Sequence, residues 1–272
     1  MNDPPEPTQR DVIWPNPRTH KVLMGVRVAV WALGIAGVPA AVIATRTAQS
    51  PADVTANVMP VDTMFYLSLN THTDQLPNYN VIANAWKDSK EARQVAAGLE
   101  LAVTQAGLNW EEDIAPWLGD RAAFGLIDLG GSTGSDSDTP YRSPGFVLAL
   151  HSRDKAASDK ALANLRSTLE SSIKPGGYVT NTLADDVYRS IPLFYMTTEM
   201  PAGRGDTATT RTQENLAVAT VNDVVVLASR RTDLQKAIDA ALDGKSLTTS
   251  ANYQTVMSTL PNQTAAAFYM DY

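Results

Sequence analysis

The chain has 272 residues, with 22 Lys and Arg against 29 Asp and Glu, a net charge of −7, and no cysteine. That balance argues against a nucleic-acid partner or docking on anionic lipid. The lack of thiols excludes disulfides, a thiolate nucleophile and a zinc–thiolate site. Three histidines (His20, His72, His151) leave little material for metal or acid–base chemistry.

Residues 1–20 are rich in Pro and polar residues and read as a disordered tail. Residues 21–45 hold an apolar run, VLMGVRVAVWALGIAGVPAAVIA from position 22 to 44, apolar on every face. As a helix it would be about 35 Å long, enough to span a bilayer with some tilt. Arg27 lies near its start, where a guanidinium can snorkel to the headgroups, and Pro39 is tolerated in a membrane span. Arg10, Arg18, Lys21 and Arg27 precede or open the run, and only Arg46 closely follows it. The positive-inside rule therefore expects a single-pass inner or thylakoid-type membrane protein with a cytoplasmic N-terminus and an extracytoplasmic main domain. The competing reading is a cleaved signal peptide and secretion, with Val42 and Ala44 at the cleavage site. The long Pro-rich segment before the run, with Asp3, Glu6 and Asp11, argues for an uncleaved anchor.

Residues 46–58 form a polar linker, and residues 59–260 are expected to form one α+β domain. Residues 64–70 alternate as a strand, with Phe65, Leu67 and Leu69 on one face. Residues 81–106 have helical spacing, with Ala92, Ala96, Leu99, Val103 and Ala106 on one stripe and Gly107 as terminator. Asn109 and Glu112 make a capping-box pattern for a short turn ending at Pro116. Strands follow at 121–129 and 145–151, flanking a Gly/Ser/Asp/Pro loop at 130–144. A helix is expected over 154–173, with Leu162, Leu165, Leu169 and Ile173 facing the core, then a strand at 178–183. This β-α-β-β-α-β order is that of the ferredoxin-like split βαβ unit. Further strands extend it. The strand at 187–198 contains Pro192, which implies an edge or a bend. A loop is expected over 200–212, and Asn222-Asp223 turns a hairpin between 216–221 and 224–229. Thr232, with Gln235, is expected to cap a helix ending at Leu242, with Leu234, Ile238, Ala241 and Leu242 buried. The economical packing is a largely antiparallel sheet with helices on one face.

The chain's end resembles the domain's beginning. Met59-Pro60-Val61-Asp62-Thr63 leads to Phe65-Tyr66-Leu67, and Leu260-Pro261-Asn262-Gln263-Thr264 leads to Phe268-Tyr269-Met270. Residues 261–272 therefore either begin a second repeat or pair back into the first sheet.

Four phrases in order carry a family resemblance: Leu67-Ser68-Leu69-Asn70 after Pro60; Gly107-Leu108-Asn109 to Asp113 followed by Pro116-Trp117-Leu118-Gly119; the Asn222-Asp223 hairpin with its following helix; and Ser246-Leu247 through Tyr253 to Leu260-Pro261. On these the chain resembles the bacterial domain-of-unknown-function family 3352 over residues 59–272. The resemblance implies an N-terminal anchor followed by a tandem extracytoplasmic region. It transfers no activity and no catalytic residue.

The candidate sites each have a plainer reading. Gly244-Lys245-Ser246 looks like the end of a phosphate loop, but Asp239 stands where the upstream glycine belongs, so Gly244 reads as a helix C-cap. Asp136 and Asp138 could share a calcium ion, but the further oxygen ligands at fixed offsets are missing, so their loop reads as solvated and no metal is assigned. Arg204-Gly205-Asp206 is an adhesion-type tripeptide of a kind that recurs by chance, and Asn262-Gln263-Thr264 is a sequon that matters only in a eukaryotic secretory host. Glu111, Glu112 and Asp113 suit a helix start, and Asp185-Asp186 reads as a turn before a strand. His72 and His151 have no identifiable partners, and no Gly-x-Ser-x-Gly elbow occurs. Trp86, Trp110 and Trp117 read as packing residues. No catalytic residue and no cofactor is assigned. The expectation is a membrane-anchored, non-enzymatic protein-interaction or envelope assembly factor. A module for a lipid or small apolar ligand is the alternative, and a carboxylate-dependent hydrolase ranks last.

Overall fold

The computed structural model describes residues 53–71, 104, 108–130, 144–173, 180–202, 209–260 and 266–271. The apolar run at 22–44, the linker before residue 53 and, apart from the helical position 104, the helix expected over 81–106 lie outside the described residues. Among the described residues no helix is long and apolar enough to cross a membrane.

Among the described residues eight strands form one antiparallel sheet: β1 (Phe65–Asn70), β2 (Leu118–Asp128), β3 (Gly145–Ser152), β4 (Thr180–Tyr188), β5 (Ile191–Ala202), β6 (Thr209–Val221), β7 (Val224–Ala228) and β8 (Ala266–Met270). Their spatial order is β4-β5-β6-β7-β3-β2-β1-β8. Among the described residues the helices that accompany them are α1 (Lys155–Ser172), α2 (Arg231–Asp243) and α3 (Ala251–Thr259). A split βαβ unit would set β1 and β2 parallel with another strand between them. Here β1 pairs directly and antiparallel with β2, and β2 with β3, so the start of the sheet is a meander and the ferredoxin-like order is corrected. The final strand joins the same sheet, with Tyr269 opposite Tyr66 on the outer side of β1.

Helices cover both faces, not one. On one face, α2 sets Leu234, Ala237 and Ile238 against Val147, Ala149, Ala217, Val224 and Val226, joined by Ala56, Val58 and Met59 from the segment around a short 3-10 turn (Val54–Val58). On the other, Leu165 and Leu169 of α1 pack on Phe194, Met196, Leu216 and Val218, and Ala161 and Trp117 pack near Val225. The reason lies in the strands. Leu216 to Ala219 and Val224 to Val226 are buried at every position, so side chains pointing either way need a cover.

Several local expectations change in the same way. Asp154 caps α1 through Ala157 N–H at 3.0 Å, as its position suggests. Thr232, however, lies inside α2, whose N-cap is Arg230 without a side-chain cap bond; Arg231 N–H instead donates to Glu214 Oε2 on β6 at 2.8 Å. Asn109 accepts from Glu111 and Glu112 N–H, but its own N–H donates to Asp113 Oδ2 at 2.8 Å, not to Glu112. The turn at Trp110–Ile114 is the wider π type, which moves the return partner on by one residue. Leu242 is exposed, Ala241 and Ile173 are half-buried, and Ala237 and Ala240 take the core positions of α2. Asp185 and Asp186 lie within β4, not in a turn. The expected loop at 200–212 is shorter because β5 runs to Ala202 and β6 begins at Thr209. Pro192 is not on an edge strand; β5 lies between β4 and β6, but its register with β6 begins at Leu193, just past the proline. Asn222 turns the β6–β7 hairpin with φ 53°, and Gly244 ends α2 in the left-handed region at φ 64°.

A polar knot fixes the start of α2. Asp233 is 1% exposed and accepts from the Ser229 hydroxyl at 2.8 Å and from Arg230 Nε at 2.6 Å. Arg230 Nη2 also reaches Asp128 Oδ2 at 3.3 Å. Gly145 makes room for it, since a Cβ there would meet Arg230 Nη2 at 2.1 Å. Removing the carboxylate strands a largely buried guanidinium. Asp233→Ala is therefore expected to lower unfolding stability by about 3 kcal/mol in urea titration. A loss below about 0.5 kcal/mol, the usual surface range, would contradict this role.

Candidate functional site: an open groove beside helix α1

The largest concavity among the described pockets lies where α1 leans over the β4–β5 hairpin. It is an open groove of about 660 Å³. Pro192, Phe194 and Val218 give it an apolar floor, Leu162 and Arg166 of α1 form one wall, and Asp185 and Val187 of β4 form the other. A second described pocket, by Leu67 and Phe124, holds only about 10 Å³. The groove follows from the sheet's architecture: α1 covers β5, β6 and β7, and β4 projects beyond it as an edge.

The rim is made of ion pairs. Arg166 binds Asp185 with both forks, Nε to Oδ1 at 3.0 Å and Nη2 to Oδ2 at 2.8 Å, tying α1 to the edge strand. These bonds hold the Asp185 carboxyl below its ordinary range and raise the Arg166 guanidinium. The Asp186 side chain turns to the other face of the sheet, where it pairs with Arg231 of α2 at 3.2 Å, and Arg231 stacks over the Tyr195 ring at 4.9 Å. Lys155 and Asp159 pair along α1 at 2.8 Å. Between these charges Val187 is 66% exposed.

The end of the groove is a two-residue turn, Arg189-Ser190, with φ of 51° and 68° and no glycine. Such backbone is costly for residues with a Cβ and needs outside support. Arg189 supplies it, bonding Asp239 at 2.9 Å and Asp243 at 2.7 Å on α2, while the Tyr188 hydroxyl donates to Asp239 at 3.0 Å. The Asp243 carboxyl is held below its ordinary range by Arg189.

None of the residues singled out from sequence converges on this groove except Asp185. His72, Asp136, Asp138, Trp86, Arg204-Gly205-Asp206 and Asn262-Gln263-Thr264 lie outside the described residues. Among the described residues no group of three or more His, Asp or Glu could hold a metal ion. Glu111 and Glu112 are exposed, and Asp113 turns back to cap its own turn while its Oδ1 accepts from Asn164. Trp117 is core, with its indole N–H on Asp113 O, whereas Trp110 is 41% exposed. His151 does have a partner, contrary to the sequence reading: its Nδ1 lies 2.6 Å from Asp120 Oδ1, across the β2–β3 ladder. The groove itself was not singled out, although an exposed valine after two aspartates, with a proline soon after, marked its place.

Fold and groove together define an α+β domain built on one antiparallel sheet, with an open apolar-floored groove along its charged edge. The chain belongs to a family described as protein of unknown function (DUF3352), whose model matches residues 25–272. No curated protein and no solved structure matches it.

The Asp185 carboxyl is depressed in the fold, so the stability it contributes is present above the ordinary carboxylate pKa and is lost as pH falls through the folded value. Its side-chain carboxyl resonance is expected to titrate below the ordinary Asp value of about 3.9 in NMR, and to return to it in Arg166→Leu. An unmoved midpoint in that variant would contradict the assignment.

Proposed function

We propose that this is a non-enzymatic binding domain, held outside the cytoplasm by the apolar run at 22–44, whose groove receives a segment of a partner protein. The carrying observation is the groove's form: an apolar floor, a rim carrying the Arg166–Asp185 and Lys155–Asp159 pairs, and an open side along an edge strand. Such a surface suits an extended or helical segment with one apolar stripe flanked by polar residues. A lipid or small apolar ligand requires a pocket that encloses most of its surface, and this groove is open. Hydrolysis by carboxylates requires one acid held protonated. The depressed Asp185 is the reverse, because Arg166 keeps it ionised. The family match supports membership but carries no activity, and the membrane address rests on the charge asymmetry around the run.

A photo-crosslinking residue at Val187, in the full chain in native membranes, is expected to trap one discrete protein species. The same probe at Leu129, an exposed residue far along the sheet from the groove, is expected not to trap it. Pro192→Glu, at an exposed floor position, should abolish the adduct while leaving the melting temperature within a few degrees. Adducts confined to lipid, or equal yields from both probe sites, would overturn the reading.

A further inference from the structure

We propose that the β4–β5 hairpin is a flap held between two opposing tethers, and that their balance sets the width of the groove. Its role in binding rests on the groove being a partner site, whereas the tethering itself does not. No residue of β4 is fully buried, so packing contributes little to its position. The strand is held by its ladder to β5 and by side-chain bonds to the two helices.

Those bonds pull in opposite directions because side chains alternate along a strand. Leu183 and Asp185 face α1: Leu183 packs with the cluster of Leu165 and Leu169, and Asp185 takes both forks of Arg166. Asp186 and Tyr188 face α2: Asp186 pairs with Arg231, and the Tyr188 hydroxyl donates to Asp239. Arg189, the first residue of the turn, adds its bonds to Asp239 and Asp243 on the same helix. The α1 tether draws the hairpin over the groove. The α2 tether draws it toward the opposite face of the sheet and holds the groove open.

The α2 tether is built from parts that are each unfavourable alone. Arg189 and Ser190 both take positive φ without being glycine. Asp239 and Asp243 lie one turn apart in the C-terminal part of α2, where they repel each other and the negative end of the helix dipole. Joined, the guanidinium neutralises both carboxylates and the carboxylates hold the turn. Where local preference is broken on both sides of a contact, the contact itself sets the geometry. The partners in both tethers are open to solvent, so each pair is weak and screened by salt. They are fastenings that can be released, unlike the buried knot of Asp233 and Arg230 at the other end of α2.

A chain without cysteine allows a direct test with paired labels. Ala163 on α1 and Val187 on β4 line the groove, and both are exposed. Spin labels on Ala163→Cys/Val187→Cys, in the full chain in detergent, report the width of the groove through their dipolar coupling. Arg189→Gly removes the α2 tether while suiting a φ of 51°. Asp239→Asn/Asp243→Asn removes it from the helix side and eases the dipole. Each is expected to shorten the mean distance by about 2 Å, the scale of shifts between packed elements. Arg166→Leu, which removes the opposing tether, is expected to lengthen it. An unchanged distance in both α2-side variants with unaltered circular dichroism, or a change of the same sign in Arg166→Leu and Arg189→Gly, would overturn the flap. The distance is read without a partner, so failure to trap a protein at Val187 would overturn the binding role of the groove and leave the flap standing.

Discussion

The rest of the structure depends on the ladder between β3 and β7. Two meanders, β1 to β3 and β4 to β7, would otherwise be separate sheets. They become one because Val147 to His151 pair with Ala228 to Val224 in continuous register. The strands offer apolar side chains in both directions at this seam: Val147, Ala149, Val224 and Val226 to one face, Leu148 and Val225 to the other. A seam buried on both sides must be covered twice, and that requirement places α1 and α2. The position of α1 in turn decides that β4 overhangs, and the overhang is the groove. Ser152 N–H on Asp223 O and Ser229 N–H on Phe146 O close the two ends of the seam, so the groove's foundation is a backbone lattice with few degrees of freedom.

How much of this was legible in the chain follows from the range of each interaction. Alternation and turn chemistry act within a few residues, and they located β1, β3, β7, α1, the Asn222 turn and the Gly244 cap. Features that need a partner distant in sequence were not legible. The cap of α2 comes from Glu214 on another strand, so the local Thr232–Gln235 pattern misled. The Arg189-Ser190 turn lacks glycine because Asp239 and Asp243 support it from a helix fifty residues on, and composition alone gives no sign of that. The two-sided cover was written in the unbroken apolar runs of β6 and β7, but its meaning depends on the meanders being joined. The groove was least legible, since it is a property of how α1 and β4 fail to overlap.

Where the polypeptide enters the domain, a polar anchor sits within the core. Tyr66 is fully buried and its hydroxyl donates to Asp53 Oδ2 at 2.7 Å, with Thr55 Oγ1 at 2.9 Å. Burial, reinforced by Asp53, raises the phenol far above its ordinary value, so it stays a neutral donor at any physiological pH. Edge-on contacts continue from Tyr66 to Tyr253 at 5.8 Å and from Tyr253 to Tyr269 at 5.4 Å. The first described residue, β1, α3 and β8 are thus gathered around one aromatic stack. A charge-assisted bond of this kind holds direction as well as distance.

The pairing of β1 with β8 also has a consequence in time. Among the described strands β1 emerges first during synthesis and β8 last, so one of the two ladders of β1 cannot form until the other described strands have appeared. Closing so long a loop comes late and slowly, because chain entropy is lost before any contact repays it. Until then the Phe65-Tyr66-Leu67 segment offers an open apolar ribbon, sheltered on one side only by β2 once that strand is made. Vectorial emergence thus leaves one interval in which the domain is nearly complete but still able to take a foreign strand, and the arrival of Phe268-Tyr269-Met270 ends it.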